Sequence, residues 1–324
     1  MTLPLTPWFD APDAAAQASA RCAAGEISAS ERDALVDFIR DGYVILPERI
    51  DAALIDQILD DIQQAPQHRE QIVLRKNGQY SHPGTLGVVG RRKRIIDFHA
   101  FSDAALQVSL AAPITRFLSL LYGEPALAFQ SLLFQYGSRQ AMHRDPYYVV
   151  TGQPAFLTAT WVALENIVEG SGELAYFVGS HRVSDTAFAS GKTTWTRQTD
   201  SREQHESHLD RLVNTCENAG LERKTFLAEK GQILVWHAGL VHGGSPVLEP
   251  EQTRRSFVTH YCPMSDCPAF LQKQPTGADR YAQGDGFYAS RHYDIPSRSV
   301  KKTQFLSHWE TPQPRSQPKP SLEG

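Results

Sequence analysis

The chain has 324 residues, 41 % hydrophobic and 21 % charged, a balance that fits a folded globular protein and excludes a disordered one. With 32 Lys and Arg against 36 Asp and Glu the net charge is −4, so the basic footprint of a general nucleic-acid binder is excluded. No run of about 18 apolar residues occurs, so no membrane span is expected, and Met1-Thr2-Leu3-Pro4 lacks the basic-then-apolar pattern of a secretory signal.

Residues 1–27 are rich in Ala, Pro and Asp and predict a loosely ordered lead-in. Ser28 and Ser30 stand at capping-box spacing before Glu31 and Asp33, and residues 31–41 carry Leu35, Phe38 and Ile39 on one helical face up to Gly42. Tyr43-Val44-Ile45-Leu46 is a short strand stopped by Pro47, and residues 51–64 return to helical period. Ile72 to Leu74 followed by Asn77-Gly78 predicts a strand entering a tight turn. Arg91-Arg92-Lys93-Arg94 is expected to be a solvated loop. Residues 102–122 are helical with Pro113 as an internal break. Short apolar or alternating runs then follow at 127–136, 156–164, 173–178, 232–236 and 256–261, the texture of a β-sandwich or barrel. An excursion at 181–230, helical over 201–219, interrupts them. After Pro263 the chain reads as loop, and residues 306–324 as a disordered tail. One domain over 28–305 is expected, with a barrel core of about 125–263.

Met142-His143-Arg144-Asp145 carries the strongest chemical signal. In extended backbone residues i and i+2 share a side, so His143 and Asp145 can offer an imidazole and a carboxylate to one ion. A second, distant His would complete a 2-His-1-carboxylate set, which leaves open positions on Fe(II). His242, in Leu240-Val241-His242-Gly243-Gly244, is the first candidate, its glycines allowing close backbone approach to a small bound molecule; His237 competes. Arg254 and Arg255 open a β-run just beyond, and an arginine there suits bidentate binding of a carboxylate. The two face opposite sides, so one of them forms a surface ion pair.

From about residue 30 to 263 the chain resembles the phytanoyl-CoA dioxygenase family of Fe(II)/2-oxoglutarate oxygenases. The matching pieces begin with Asp41-Gly42-Tyr43-Val44-Ile45-Leu46-Pro47, Gln130-Ser131 and His143-Arg144-Asp145. They continue with Trp161-Val162-Ala163-Leu164-Glu165, Gly170-Ser171-Gly172-Glu173-Leu174 and Gly179-Ser180-His181-Arg182. Lys230-Gly231-Gln232, Trp236-His237, Leu240 to Gly244 and Arg254-Arg255-Ser256 complete the order; Gln232 departs from the family's usual Gly-Asp. The resemblance implies a mainly β fold, a double-stranded β-helix (jelly-roll, cupin-like) with flanking N-terminal and inserted helices. It implies His143, Asp145 and His242 as iron ligands and Arg254, with Arg255 as fallback, on the far carboxylate of 2-oxoglutarate. Trp161 falls where relatives contact the co-substrate. Gln130 and Tyr136 share a strand face toward the barrel interior, where either can touch co-substrate or substrate. Oxygen is the second co-substrate, and ascorbate is expected to stimulate.

Members of the family that chlorinate lack the carboxylate ligand, so Asp145 favours hydroxylation of a small molecule. The rival readings are a cupin-type metalloenzyme that does not use 2-oxoglutarate, against which Arg254 stands, and a non-catalytic ligand-binding barrel. His205 and His208, spaced i, i+3 rather than i, i+4, are not a zinc-protease pair and are expected on a solvated helix face. His181 is expected to buttress a turn, and His260 to point inward with Arg254, Ser256 and Val258. Tyr147, Tyr148, Trp195 and the 91–94 run are candidate lining residues for a polar or anionic metabolite. The four cysteines, Cys22, Cys216, Cys262 and Cys267, form no C-x-x-C pair and are too sparse for a disulfide scaffold, which suits a reducing cytoplasm.

Overall fold

In the computed structural model, which describes residues 6–301 except 77–78, 82–92, 185–187, 189–190, 196–199, 267, 269 and 272–278, the lead-in is structured. A 3-10 turn (Trp8–Asp10) and helix α1 (Ala14–Ala23) precede the capping box. Phe9, Ala14 and Ala18 are buried, and Trp8 Nε1 donates to the Leu121 carbonyl at 2.7 Å. Composition alone suggested loose chain here; the aromatic pair Trp8 and Phe9 finds partners more than a hundred residues away.

Helix α2 (Ala29–Asp41) starts at the Ser28–Glu31 capping box and ends at Gly42. Gly42 has φ +78, and a Cβ there would lie 2.4 Å from His181 Nδ1. His181 Nε2 in turn donates to the Ile39 carbonyl at 3.2 Å. The Asp41-Gly42-Tyr43 and Gly179-Ser180-His181 motifs are therefore two halves of one contact, the buttressed turn expected for His181. Gly42→Ala should lower unfolding free energy by about 2 kcal/mol, combining left-handed strain with the clash. Urea denaturation measures it, and wild-type stability would contradict the close approach.

Strand β1 (Tyr43–Arg49) runs through Pro47 instead of stopping there. It lies at the sheet edge with a register shift between Ile45 and Arg49, where a missing N–H breaks no ladder. Helix α3 (Ala52–Gln64), capped by Asp51, and strands β2 (Val73–Lys76), β3 (Gln79–Ser81) and β4 (Arg94–Ile96) follow. The Asn77-Gly78 turn and Arg91-Arg92 lie outside the described residues. Arg94 is no solvated loop residue but a half-buried strand residue. The 102–122 helix is two, α4 (Asp103–Ser109) and α5 (Ala112–Tyr122), and Pro113 sits in the first turn of α5, where no N–H is needed.

The barrel strands are β5 (Ala126–Phe134), β6 (Thr158–Ala163) and β7 (Leu174–Phe177). Helix α6 (Arg202–Asn218) then precedes β8 (Arg223–Phe226), β9 (Gln232–His237), β10 (His242–Gly244) and β11 (Ser256–Pro263). The stretch after Pro263 is not all loop: β12 (Tyr281–Gln283), β13 (Gly286–Tyr288), β14 (Tyr293–Asp294) and β15 (Ser299–Val300) form there. β13 joins β5 in parallel, a non-local pairing that local periodicity cannot reveal. Residues 306–324 lie outside the described residues.

Among the described residues one sheet runs β1–β9–β6–β11–β5–β4–β2–β3, with β13 beside β5 and β12 beside β13; a second runs β10–β7–β8. Alternation splits the large sheet's side chains. Val162, Val235 and Phe257 meet the helices through Leu35, Phe38, Ile55 and Leu118. Trp161, Leu234, Trp236, Val258, Leu132 and Phe134 face inward against Leu174, Tyr176 and Phe226 of the second sheet. The two facing sheets form the double-stranded β-helix expected, with the site between them. Among the described residues no single helix is long and apolar enough to cross a membrane.

Candidate active site

His143 and His242 face each other as an antiparallel bridge. His143 N donates to the His242 carbonyl at 2.9 Å and His242 N to the His143 carbonyl at 3.0 Å. This exchange fixes two backbones about one hundred residues apart and brings the tilted rings to 4.5 Å between centres. It depends on Gly243, where a Cβ would lie 2.9 Å from the Gln140 carbonyl and 3.0 Å from Met142 N. The glycine thus admits the chain's own backbone, not a bound molecule as the sequence suggested.

Arg144 between the two motif residues is extended (φ −111, ψ 143), so His143 and Asp145 do point the same way. One donor atom from each of His143, Asp145 and His242 lies within 4.8 Å of the others, and all three residues are buried. Each histidine binds the carbonyl two residues before it through Nδ1: His143 to Ala141 at 2.8 Å, His242 to Leu240 at 2.9 Å. A carbonyl only accepts, so Nδ1 carries the hydrogen and Nε2 keeps its lone pair. That is the tautomer a metal requires. Asp145 Oδ1 lies 4.0 Å from His143 Nε2 and 3.6 Å from His242 Nε2. Two imidazole nitrogens and a carboxylate oxygen suit Fe(II), and these residues fit it.

Electrostatics agree. Burial, reinforced by His242, lowers the His143 pKa to about 3 against the pull of Asp145. His143 is then neutral at neutral pH, and its Nε2 lone pair accepts from the Gln140 side-chain amide at 2.9 Å. Burial pushes Asp145 up, but His242 and His260 more than offset it, holding the carboxyl below its usual range and ionised.

Two residues flank Asp145 from one cross-strand row. Trp236 and His260 are both register partners of Ala159 on β6. Trp236 Nε1 donates to Asp145 Oδ2 at 2.6 Å, and His260 Nε2 lies 3.5 Å from Oδ1. The small Ala159 between them leaves room for the carboxylate. With Oδ2 held by the indole, Oδ1 is the oxygen turned to the histidines. Trp236→Phe should weaken metal binding by about 10- to 100-fold, as loss of an outer partner does. Competition against a chelator of known affinity measures it, and unchanged affinity would contradict the indole's role.

Arg254 and Arg255 separate as parity requires. Arg255 pairs with Glu165 at 3.2 Å on the outer side. Arg254 is only 3 % exposed. Its Nη1 donates to Ser256 Oγ at 2.8 Å, and its guanidinium lies 5.3 Å from the Phe134 ring centre and 5.7 Å from that of Trp161. Its Nε has no hydrogen-bond partner. Burial lowers its pKa to about 10, against Glu165 and Glu173, so the guanidinium is charged at neutral pH, and among the described residues it has no ion pair. A carboxylate from a ligand satisfies both needs.

Gln130 is half-buried and directly opposite His260 in register, so it faces the interior as expected. Tyr136 lies two residues beyond the end of β5 at Phe134. His205 and His208 are not on a solvated face either. His208 is fully buried with its ring 3.9 Å from that of Phe188, and His205 Nε2 lies 2.6 Å from the Tyr148 hydroxyl. The insert thus packs on Tyr148, whose ring is 5.3 Å from His143. Cys262 is buried, and Cys267 lies outside the described residues. The roles of Trp236, Ser256 and Ala159 escaped sequence reading, since nothing local marks a tryptophan as the partner of a carboxylate 91 positions away.

A double-stranded β-helix with this donor set at its centre defines the class of Fe(II)/2-oxoglutarate-dependent oxygenases. The phytanoyl-CoA dioxygenase (PhyH) family profile matches residues 38–256, and the chain belongs to that family. A sequence search of curated proteins finds no match. Among solved structures, the epimerase SnoN in complex with Fe3+, alpha ketoglutarate and nogalamycin RO is 21 % identical, with TM-score 0.57 over 81 % of this chain and 99 % of that one. The carbocyclase SnoK from nogalamycin biosynthesis is 13 % identical, with TM-score 0.57 over 82 % and 96 %. EctD from S. alaskensis with bound Fe is 20 % identical, with TM-score 0.51 over 74 % and 78 %. These likenesses bear on the fold.

Proposed function

We propose that this protein is a dioxygenase that hydroxylates an unactivated C–H bond of a small-molecule metabolite. 2-Oxoglutarate and oxygen are consumed; one oxygen atom enters succinate, the other the product hydroxyl, and carbon dioxide leaves. What supports the reading is the pair of Nδ1–carbonyl bonds, which leaves the two Nε2 atoms, one of them accepting from the Gln140 amide, as the nitrogens on the side of Asp145. His143, Asp145 and His242 are the ligands in this reading, and the bound Fe(II) supplies oxygen activation.

The protein's own residues supply placement. Arg254 and Ser256 hold the far carboxylate of 2-oxoglutarate, which disfavours neutral or longer 2-oxo acids. Trp161 and Phe134 wall that anchor, and Gln130 faces the co-substrate space. Trp236 keeps Asp145 Oδ1 turned inward. Tyr148, packed against His205 of the insert, stands at the mouth, where variable segments set specificity.

Purified protein with Fe(II), ascorbate and 2-oxoglutarate should release succinate slowly without added substrate, faster with the right metabolite. Absence of both metal binding under anaerobic Fe(II) and succinate release would overturn the proposal.

A further inference from the structure

The large sheet presents its interior side chains in rungs of directly opposed residues. Ser256 and Phe134 share one rung, and Val258, Leu132 and Trp161 share the next. Gln130, His260, Ala159 and Trp236 share the third. The Arg254 guanidinium belongs to the first two levels: it bonds Ser256 Oγ at 2.8 Å and lies 5.7 Å from the Trp161 ring centre. Asp145 belongs to the third, with Trp236 Nε1 at 2.6 Å and His260 Nε2 at 3.5 Å. The proposed anchor and the proposed metal centre therefore stand at different levels of one ladder.

His260 is the unexplained member of the third rung. It is only 2 % exposed, and neither ring nitrogen has a hydrogen-bond partner. At least one of the two nitrogens of an imidazole carries a hydrogen in either tautomer, so a buried donor stands unsatisfied, at a cost in stability. Its neighbours are provided for. Trp236 has its acceptor in Asp145, and on the other face of β11 Thr259 and Tyr261 bond to Ser109. Gln130, half-buried and directly opposite, adds a side-chain amide to the same rung.

Two residues along a strand advance about 6.6–6.8 Å, so the Arg254 guanidinium and His260, between one and two rungs apart, are separated by about 7–13 Å. A five-carbon dicarboxylate with a hydrogen bond at each end bridges that span. The rung it crosses, Val258, Leu132 and Trp161, is apolar, as its methylene carbons require. We propose that His260, with Gln130 beside it, holds the C1 carboxylate of 2-oxoglutarate, the end opposite the one on Arg254. That carboxylate has two oxygens; one serves the metal, and the other accepts from the imidazole. The inference rests on the oxygenase reading and deepens it: the co-substrate is read at both ends, and its length is set by two fixed donors on one strand.

The test uses full-length protein loaded with Zn(II) in place of Fe(II), so that no turnover intervenes. 2-Oxoglutarate and 2-oxopentanoate are titrated by calorimetry; the second keeps the 2-oxo acid end and carries a methyl group in place of the far carboxylate. His260→Leu should weaken both acids by the same factor, about tenfold, the loss of a hydrogen bond to a charged group. Arg254→Gln should weaken 2-oxoglutarate alone. Gln130→Leu should act in the direction of His260→Leu. His260→Gln, which keeps a donor, should recover part of the loss, which a mere packing role would not allow. Metal content is measured in every variant and should stay at one Zn(II) per chain. Equal affinity of 2-oxopentanoate for wild type and His260→Leu would overturn the proposal, as would weakening of 2-oxoglutarate alone. Loss of Zn(II) from His260→Leu would overturn it too, making His260 a support of Asp145. Failure of the oxygenase reading is seen separately, as absence of succinate release by the Fe(II) wild type.

Discussion

Asp145→Ala should abolish succinate release, with or without substrate, and weaken metal binding by more than the roughly 10- to 100-fold typical of losing an outer partner. The reason is the placement of its two oxygens. Oδ1 is the anionic donor between His143 Nε2 and His242 Nε2, at 4.0 and 3.6 Å. Oδ2 accepts the Trp236 indole N–H at 2.6 Å. Removing the carboxylate takes away the anionic donor and leaves a buried indole N–H unpaired, which costs about 1–3 kcal/mol of stability. The second effect could mimic the first if the protein unfolded. Metal titration is therefore read beside the thermal transition, with Asp145→Asn as the conservative comparison. A folded Asp145→Ala protein that still bound one Fe(II) and released succinate at the wild-type rate would remove Asp145 from the centre.

Arg254→Gln should raise the KM for 2-oxoglutarate by roughly 30-fold or more, because truncating one partner of a buried charge pair costs about 2–5 kcal/mol. Arg255→Gln leaves it within about twofold. The contrast follows from burial: Arg254 is 3 % exposed with an unpartnered Nε, whereas Arg255 already pairs with Glu165 at 3.2 Å. Arg254→Lys falls between the two, since an ammonium keeps the charge but loses the planar fork. Steady-state kinetics of uncoupled turnover measure all three. The opposite ranking, Arg255 above Arg254, would transfer the anchor to the outer face and contradict the burial of Arg254.

Much of the site was legible because it obeys local rules. His-x-Asp in extended backbone places two donors on one side, and the alternation of the chain entering β11 separates Arg254 from its neighbour. The Ser28–Glu31 box and the left-handed Gly42 fixed α2 at both ends for the same reason. What was not legible depends on partners remote in the chain. Pro47 reads as a stop, yet an edge strand needs no N–H at every position. The loop-like C-terminal stretch supplies β13, which pairs with β5. Polar His208 reads as solvated, yet it lies buried against Phe188. Gly243 illustrates the limit best: its smallness was visible, but whether it admits a ligand or the chain's own Gln140 carbonyl depends on a contact a hundred residues away.

The most direct test is a crystal structure of the anaerobic protein with Fe(II) and 2-oxoglutarate. The account predicts one iron bound by His143 Nε2, His242 Nε2 and Asp145 Oδ1, with Trp236 still on Oδ2. It predicts 2-oxoglutarate chelating that iron, its far carboxylate on Arg254 and Ser256. Iron held by other residues, or a far carboxylate paired with Arg255, would contradict it.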